Sequence, residues 1–390
     1  MDKFALYSRK VAQKNKQRRY EQLSCVVPQK VSSSLDFAST DFLCLSLHDH
    51  IKKGTIKAVL QYGAGSSSTR LVSDHLEAHK VIEKRIAELT CFEDAHLFAN
   101  PNQLHTQLLP ALAPKGAIIY ADSGVSHALK QAITNCKAEV KWFAHNAKHD
   151  LLSKIQDTPN RSSFQKVIVT ESLFATTGEE GALFDLGVIA KNTGSLLYVD
   201  DSYSFGVYGK NGMGLSSGLE NVDVACGTFG KAGGSFGSFA TMPSIIKEYL
   251  MTCIATVSGS PPLAPAVIGA IASALDVIPD MDEERSHIMS HARLLRNELR
   301  KRGIHTTNSN SHIITLPVTA DRIRQALTLF EEKGIYTQSL LPPFIAPGEE
   351  RLRFIINASH SMHDIYSLLG LIDSLDLRVT EPTYADAYLP

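Results

Sequence analysis

The feature that most limits the fold of this chain is a series of short apolar runs, each closed by polar residues and most followed by a helical pattern. His96-Leu97-Phe98-Ala99 precedes Asn100-Pro101-Asn102-Gln103 and a helix to Leu112. Ala117-Ile118-Ile119-Tyr120-Ala121 precedes Asp122 to His127 and another helix. Val140 to Phe143, Lys166 to Thr170, Leu196 to Val199 and Val222 to Cys226 continue the series. Parallel neighbours need a crossover, and a helix supplies it, so this alternation predicts an α/β chain: a mostly parallel sheet with helices on both faces. Ligands of such sheets sit outside the carboxyl ends of the strands.

With 390 residues, 44% of them hydrophobic, the chain can bury a large core and more than one domain. Residues 1–45 read as an N-terminal arm, an amphipathic helix plus a linker and a short strand at Leu35 to Ala38. Residues 46–262 read as the large domain. Beyond Pro261-Pro262 the pattern changes to a long apolar helix (about Ala264 to Val277) and a charged one (about Glu283 to Lys301). The apolar runs His312 to Pro317 and Arg351 to Ile356 follow, so 263–379 reads as a smaller α+β domain. Residues 380–390 read as a polar tail. A formal net charge of −1 gives no argument for nucleic acid or a membrane surface. No window is apolar for long enough to span a bilayer. The charged start, with no apolar run after it, reads as a chain without a secretory signal. Six scattered cysteines with no Cys-x-x-Cys pair fit reduced thiols, and with them a cytoplasmic setting.

The stretch with the most chemistry is Gly227-Thr228-Phe229-Gly230-Lys231-Ala232-Gly233-Gly234-Ser235-Phe236-Gly237. It is not a nucleotide-binding loop, since the required upstream Gly is missing and Ala232 stands where Ser or Thr would hold magnesium. Small residues on both sides let a flat ligand approach Lys231, and one use of such a lysine is a Schiff base to a carbonyl cofactor. Taken alone, a solvated surface loop explains the stretch slightly better. The run Leu196-Leu197-Tyr198-Val199-Asp200-Asp201 changes that balance. It reads as a buried strand ending in carboxylates, one strand before the lysine, and a buried Asp there can hold the proton of a cofactor's ring nitrogen.

These residues resemble a known family, the α-oxoamine synthases, a branch of the fold-type-I pyridoxal-phosphate enzymes. The resemblance runs from Leu35 to about Leu377. It is carried by Asp41 to Leu45, Tyr62 to Ser66, Phe143-Ala144-His145-Asn146, Val169-Thr170-Glu171, Val199-Asp200-Asp201, Gly206-Val207-Tyr208-Gly209, Thr228-Phe229-Gly230-Lys231, Pro342-Pro343, Pro347-Gly348 and Arg351-Leu352-Arg353-Phe354. It implies a large domain with the mostly parallel sheet, a smaller C-terminal α+β domain, and pyridoxal 5'-phosphate as cofactor. Lys231 is then the catalytic base and acid and carries the cofactor, and Asp200 pairs with its ring nitrogen. Thr228 and backbone groups near Asn100, Pro101 and Asn102 meet the phosphate, Glu171 lies among the groups around the cofactor, and Arg353 binds the amino-acid carboxylate. The ring-stacking histidine is ambiguous: counting from Asp122 without gaps gives Ser126, and a one-residue shift gives His127. The resemblance also implies a homodimer with the site at the subunit interface.

Four positions depart from the family pattern. Tyr203 stands where a His is usual, so a phenol would face the cofactor. Pro101-Asn102 replaces Gly and an aromatic, which removes one backbone donor from the phosphate turn. Thr40 replaces Asn, and Ala175 replaces Ser. The expected activity is decarboxylative condensation of an α-amino acid with an acyl thioester, on coenzyme A or on an acyl carrier protein. L-alanine with a pimeloyl thioester, a step of biotin synthesis, is the first expectation; glycine or L-serine with other acyl groups stays open. Two other readings remain: a degenerate, non-catalytic homologue acting as a partner subunit, as Ser204-Phe205-Gly206-Val207 also resembles one, and an aminotransferase of the same fold.

Overall fold

The computed structural model describes residues 4–16, 35–66, 68–70, 76–158, 165–259, 261–342, 344–375 and 377. The expected linker up to residue 34, Ser67 of the Gly/Ser run, Pro343 and the tail 380–390 lie outside the described residues. Twelve strands follow in chain order: β1 (Leu35–Asp36), β2 (Asp94–Phe98), β3 (Ile118–Asp122), β4 (Glu139–Phe143), β5 (Lys166–Glu171), β6 (Leu196–Asp200), β7 (Val224–Thr228), β8 (Ser238–Met242), β9 (Ile313–Pro317), β10 (Ile335–Tyr336), β11 (Gln338–Leu340) and β12 (Arg351–Ile355). Strands β2 to β8 form one seven-stranded sheet in the order β2-β8-β7-β6-β5-β3-β4.

The pairings β4–β3–β5–β6–β7 are parallel, as the strand–helix alternation predicts. The far edge differs from the simple expectation. β8 runs antiparallel to both β7 and β2. The cause lies in residues 229–237: too few for a helical crossover, they turn the chain straight back, so Thr228 pairs with Ser238. The Lys231 stretch is therefore the hairpin-like connection between β7 and β8, placed at the carboxyl end of β7. Its Gly234 has a φ of 58° and its Gly237 a φ of 102°, left-handed values that side-chain-bearing residues rarely adopt.

The C-terminal part builds a three-stranded antiparallel sheet, β11-β12-β9. The short strand expected near Leu35 forms too, and it pairs in parallel with β10, nearly 300 residues further on at Leu35↔Ile335. The Ala5–Lys16 helix is present, with Phe4, Leu6, Tyr7 and Val11 exposed. Among the described residues no helix is long and apolar enough to cross a membrane.

Helices pack on the large sheet through apolar residues at helical spacing. Leu104, Leu108, Leu109 and Leu112 of the Pro101–Leu112 helix join Leu129 and Ile133 in one cluster against β3, β5 and β7. On the other face, Leu151, Ile155, Leu183 and Leu186 pack on Ile118, Ile168 and Leu197. A third cluster ties the Pro265–Val277 helix to the Asp282–Lys301 helix and the small sheet through Ile271, Leu275, Ile288, Leu295, Leu316 and Phe354. The Asp49–Tyr62 and Pro265–Val277 helices cross at glycines. A methyl on Gly269 would overlap the Gly54 carbonyl oxygen and press on Ala58 Cβ at 2.6 Å. We therefore expect Gly269→Ala to destabilise the protein by about 1–3 kcal/mol. Gly370→Ala, in the Met362–Asp373 helix with open space around it, should be neutral or stabilising by roughly 0.5–1 kcal/mol. Thermal melts of both variants check the pair, and equal effects would contradict the close crossing.

Candidate active site

β5 and β6 end side by side, with Glu171 opposite Asp200. Asp200 is 6% exposed. The Ser202 N–H donates to its Oδ1 at 2.8 Å. Its Oδ2 lies 3.1 Å from His105 Nε2, and His105 Nδ1 lies 2.7 Å from the Tyr198 hydroxyl. Burial pushes the Tyr198 phenol well above its ordinary range, so it keeps its proton and donates to Nδ1. Nε2 then carries a hydrogen and donates to Asp200. Burial would raise the Asp200 carboxyl, but the hydrogen bond from His105, the charge of Lys231 and the Ser202 N–H outweigh it and hold it low, at about 2. Glu171 goes the other way. Its own burial and the Asp200 charge push it up to about 7, against the Ser126 N–H at 2.7 Å and the Ala175 N–H at 3.4 Å. Of two neighbouring carboxyls, one thus stays anionic and the other holds a proton up to neutrality.

The second carboxylate at the end of β6 does different work. Asp201 accepts from the Ser204 hydroxyl at 2.8 Å and from the Ser216 hydroxyl, which ties down residues 202–216. That segment turns at Gly209, whose φ of 76° and contact with the Gly214 carbonyl leave no room for a side chain. Tyr203 lies on it. Lys231 Nζ is 4.4 Å from the centre of the Tyr203 ring, and Arg353 Cζ is 5.9 Å from the same centre. Phe42 packs against the ring at 6.0 Å. The aromatic that replaces the usual imidazole is therefore a cation–π neighbour of both groups.

Arg353 sits on β12 and is 6% exposed. Its Nη1 donates to the Ala175 carbonyl at 2.8 Å and its Nη2 to Gln338 Oε1, while its buried Nε has no partner among the described residues. Ser126 and His127, the two candidates for the ring-stacking position, differ in their contacts. Ser126 caps the His127–Thr134 helix by accepting from Leu129 N at 3.4 Å, and its own N–H goes to Glu171. His127, half-buried, turns its ring toward Phe344, centroids 5.9 Å apart.

Asn100 caps the Pro101–Leu112 helix, its side chain accepting from Gln103 N at 2.9 Å, and Pro101 fills the first helical position. Thr228 ends β7 with its hydroxyl bonded to the Gly237 carbonyl at 3.0 Å, the Ser238 hydroxyl at 3.2 Å and the Gly230 N–H at 3.1 Å. These residues fit pyridoxal phosphate well at the ring end: a buried anion suits a protonated ring nitrogen, and Lys231 lies within electrostatic reach of it. The phosphate end is thinner, because Pro101 has no N–H and the Thr228 hydroxyl is shared among protein groups.

His145, in the Phe143 to Asn146 motif, donates from Nδ1 to Asp122 and from Nε2 to Glu179, both at 2.9 Å, with its ring edge-on to Phe174 at 4.3 Å. Burial would lower this imidazole; the two carboxylates outweigh that and lift it to about 9. Two cavities open beside it, of about 760 Å³ and about 340 Å³, and Arg351 lines both.

The sequence reading did not include His105, His145 or Arg351 among the site residues. His105 stands among Leu104, Leu108 and Leu109, where a histidine looks like core. The available signal was a polar residue on the apolar face of a helix that starts beside the Asp200 strand.

The chain matches the family model described as aminotransferase class I and II over residues 34–372. It is 31% identical over 335 residues to the 8-amino-7-oxononanoate synthase of Geotalea daltonii, covering 84% of each chain. Its fold superposes on a serine palmitoyltransferase of Sphingomonas wittichii with a TM-score of 0.88 at 22% identity, over 96% of this chain and 98% of that one. It superposes on an 8-amino-7-oxononanoate synthase of Francisella tularensis with a TM-score of 0.76 at 22% identity, over 88% and 98%. This chain belongs to the aminotransferase class I and II family and, within it, to the α-oxoamine synthases, enzymes of fold type I that depend on pyridoxal phosphate.

The His145 shift has a consequence for stability. A histidine lifted from 6.5 to about 9 in the folded state contributes stability that is complete below pH 6.5 and lost as pH rises through 9. Denaturant midpoints should therefore fall between pH 6.5 and 9.5, by an equivalent of roughly 2–3 kcal/mol. In His145→Gln the protein should be less stable at pH 6.5 and this slope should disappear. A slope that persists unchanged in the variant would assign it to other groups.

Proposed function

We propose that this enzyme condenses L-alanine with a pimeloyl thioester, on coenzyme A or on an acyl carrier protein, to give 8-amino-7-oxononanoate, carbon dioxide and the free thiol. Support for the class comes from the family, and support for the product from similarity to 8-amino-7-oxononanoate synthases such as that of Geotalea daltonii. The observation that carries the reading is that Lys231 and Arg353 both lie against the Tyr203 ring while the charge of Lys231 acts on the buried Asp200.

Pyridoxal phosphate, when bound, supplies an electron sink for the carbanion formed at the amino acid's α-carbon. The chain's own residues do the rest. Asp200, fixed by His105 and Ser202, holds the ring nitrogen's proton. His127 covers the ring face. The Asn102 N–H and the Thr228 hydroxyl are the groups left for the phosphate, with Asn100 and Pro101 shaping the helix start that presents them. Glu171, holding a proton near neutrality, is an oxygen-bound donor beside Asp200. Arg353 has an unpartnered Nε and takes the amino-acid carboxylate in a forked contact. Lys231 Nζ moves the proton at the α-carbon. Its place over Tyr203, with Arg353 close by, sets which α-bond faces it. The site is completed in a cytoplasmic homodimer.

Two measurements test this. Purified wild type given pyridoxal phosphate should show the visible band of a lysine-bound cofactor, and L-alanine should shift it more than glycine or L-serine does. Borohydride reduction and peptide mapping should then put the label on Lys231, and Lys231→Ala should lack both band and label. A wild type that stays colourless would point instead to the non-catalytic partner that Pro101, Ala175 and Tyr203 also allow, and amino transfer to a keto acid without thioester would point to an aminotransferase. Separately, His105→Leu should weaken cofactor affinity at least tenfold in an absorbance titration, by releasing Asp200 from its donor, while leaving the fold intact by circular dichroism. Unchanged affinity would remove His105 from the positioning role.

A further inference from the structure

β12 carries Arg351 and Arg353 two residues apart, so both project from one face of the strand. Leu352 and Phe354, on the other face, are fully buried in the core. The two guanidinium groups lie along the same segment: Arg353 Nη1 donates to the Ala175 carbonyl and Arg351 Nη1 to the next one, Thr176, at 3.0 Å. Strand geometry spaces them by about 6.6 Å. Arg353 faces Tyr203 and Lys231. Arg351 faces the cavity of about 340 Å³.

Arg351 is 2% exposed, and its bond to Thr176 is the one hydrogen bond of its guanidinium among the described residues; its Nε is buried without a partner. No carboxylate lies within ion-pair distance of it among the described residues. The nearby acids Asp122 and Glu179 are both bonded to the protonated His145. Lys130 lines the same cavity, half-buried, with Glu349 acting on it only from beyond ion-pair distance. A buried cation without a bonded anion is costly and uncommon, and a forked guanidinium is the usual reader of a carboxylate. Val125, Trp142, Phe344 and Ile345 give the same cavity an apolar part of its wall, and Glu349 and His145 also line it. Phe344, on the wall of this cavity, also packs edge-on against His127.

We propose that Arg351, assisted by Lys130, binds the second carboxylate of a dicarboxylic acyl donor, the chain of which lies along Trp142 and Phe344. The proposal rests on the condensation reading above and makes Arg351 a specificity-determining residue rather than a catalytic one. Arg353 takes the carboxylate of the amino acid, and Arg351 takes that of the acyl group.

The test compares two CoA thioesters of equal length, one ending in a carboxylate (heptanedioyl) and one in a methyl group (heptanoyl), each with L-alanine and holoenzyme. Wild type should prefer the carboxyl-ended thioester at least a hundredfold in kcat/KM. Arg351→Met should reduce that ratio at least tenfold, chiefly through KM for the carboxyl-ended donor. Arg351→Lys should recover part of it, and Lys130→Met should lower it less. Calorimetry of free heptanedioate against heptanoate should show the same preference and its loss in Arg351→Met. If wild type uses both thioesters equally, or if the ratio stays the same in Arg351→Met and Lys130→Met, the carboxylate site is overturned. If Arg351→Met fails to fold, Lys130→Met and the calorimetric preference of wild type decide. Selective heptanedioate binding without turnover of any thioester would keep the carboxylate site and overturn the condensation reading instead.

Discussion

A carboxylate buried at the end of β6 can stay charged only if something replaces the water it has lost, and the rest of the site is arranged around that requirement. Asp200 obtains its replacement from the backbone of Ser202 and from His105, which the Tyr198 hydroxyl holds in one tautomer. The relay links three elements: the strand itself, the helix that starts at Pro101 and the turn after β6. Its product is a fixed anion that sits at the carboxyl end of a parallel sheet, where the fold already leaves an opening. Burial of Glu171 itself raises that neighbouring carboxyl, and the same anion adds to the effect.

The lysine reaches this anion because the sheet changes direction. Had β7 been followed by a helical crossover, as β3, β4 and β5 are, Lys231 would lie at the head of a long helix. The short return to β8 keeps it within nine residues of two strands, on a loop whose glycines lie in left-handed conformations. Tyr203 then does what an imidazole in that position would do less well. Its ring has the lysine at 4.4 Å from its centre and the arginine from the small sheet at 5.9 Å, so both cations have an aromatic neighbour.

The parallel part of the sheet was legible because apolar runs and helical patterns alternate plainly from His96 to Cys226. β8 was not, since Gly233 to Gly237 hide where its strand begins, although Ser238-Phe239-Ala240-Thr241-Met242 has an alternating pattern. The nearness of Lys231 to Asp200 could be read from the chain, because one strand separates them. That of Arg353 rested on resemblance alone, since nothing local says that β12 points back at residue 175. His105 was hidden by its leucine neighbours. That Ser126 rather than His127 caps the helix needed three dimensions, because both stand at the expected boundary.

The charges around Arg351 show why a site can be invisible in sequence and still be specific. Motif reading treats Arg351-Leu352-Arg353 as one unit, yet the two arginines differ in what surrounds them. Arg353 has an aromatic and a lysine; Arg351 has an apolar wall and a second amine. The difference comes from His145, which follows β4, far from β12 in sequence. By binding both Asp122 and Glu179, it removes the acids that would otherwise pair with Arg351. A neutral residue at 145 would free Glu179, which already feels the Arg351 charge, to close on that guanidinium and fill the place of a ligand's carboxylate. The imidazolium thus keeps a neighbouring cation open, and the selectivity of the cavity depends on a group that lines it while its own two nitrogens are bonded to carboxylates.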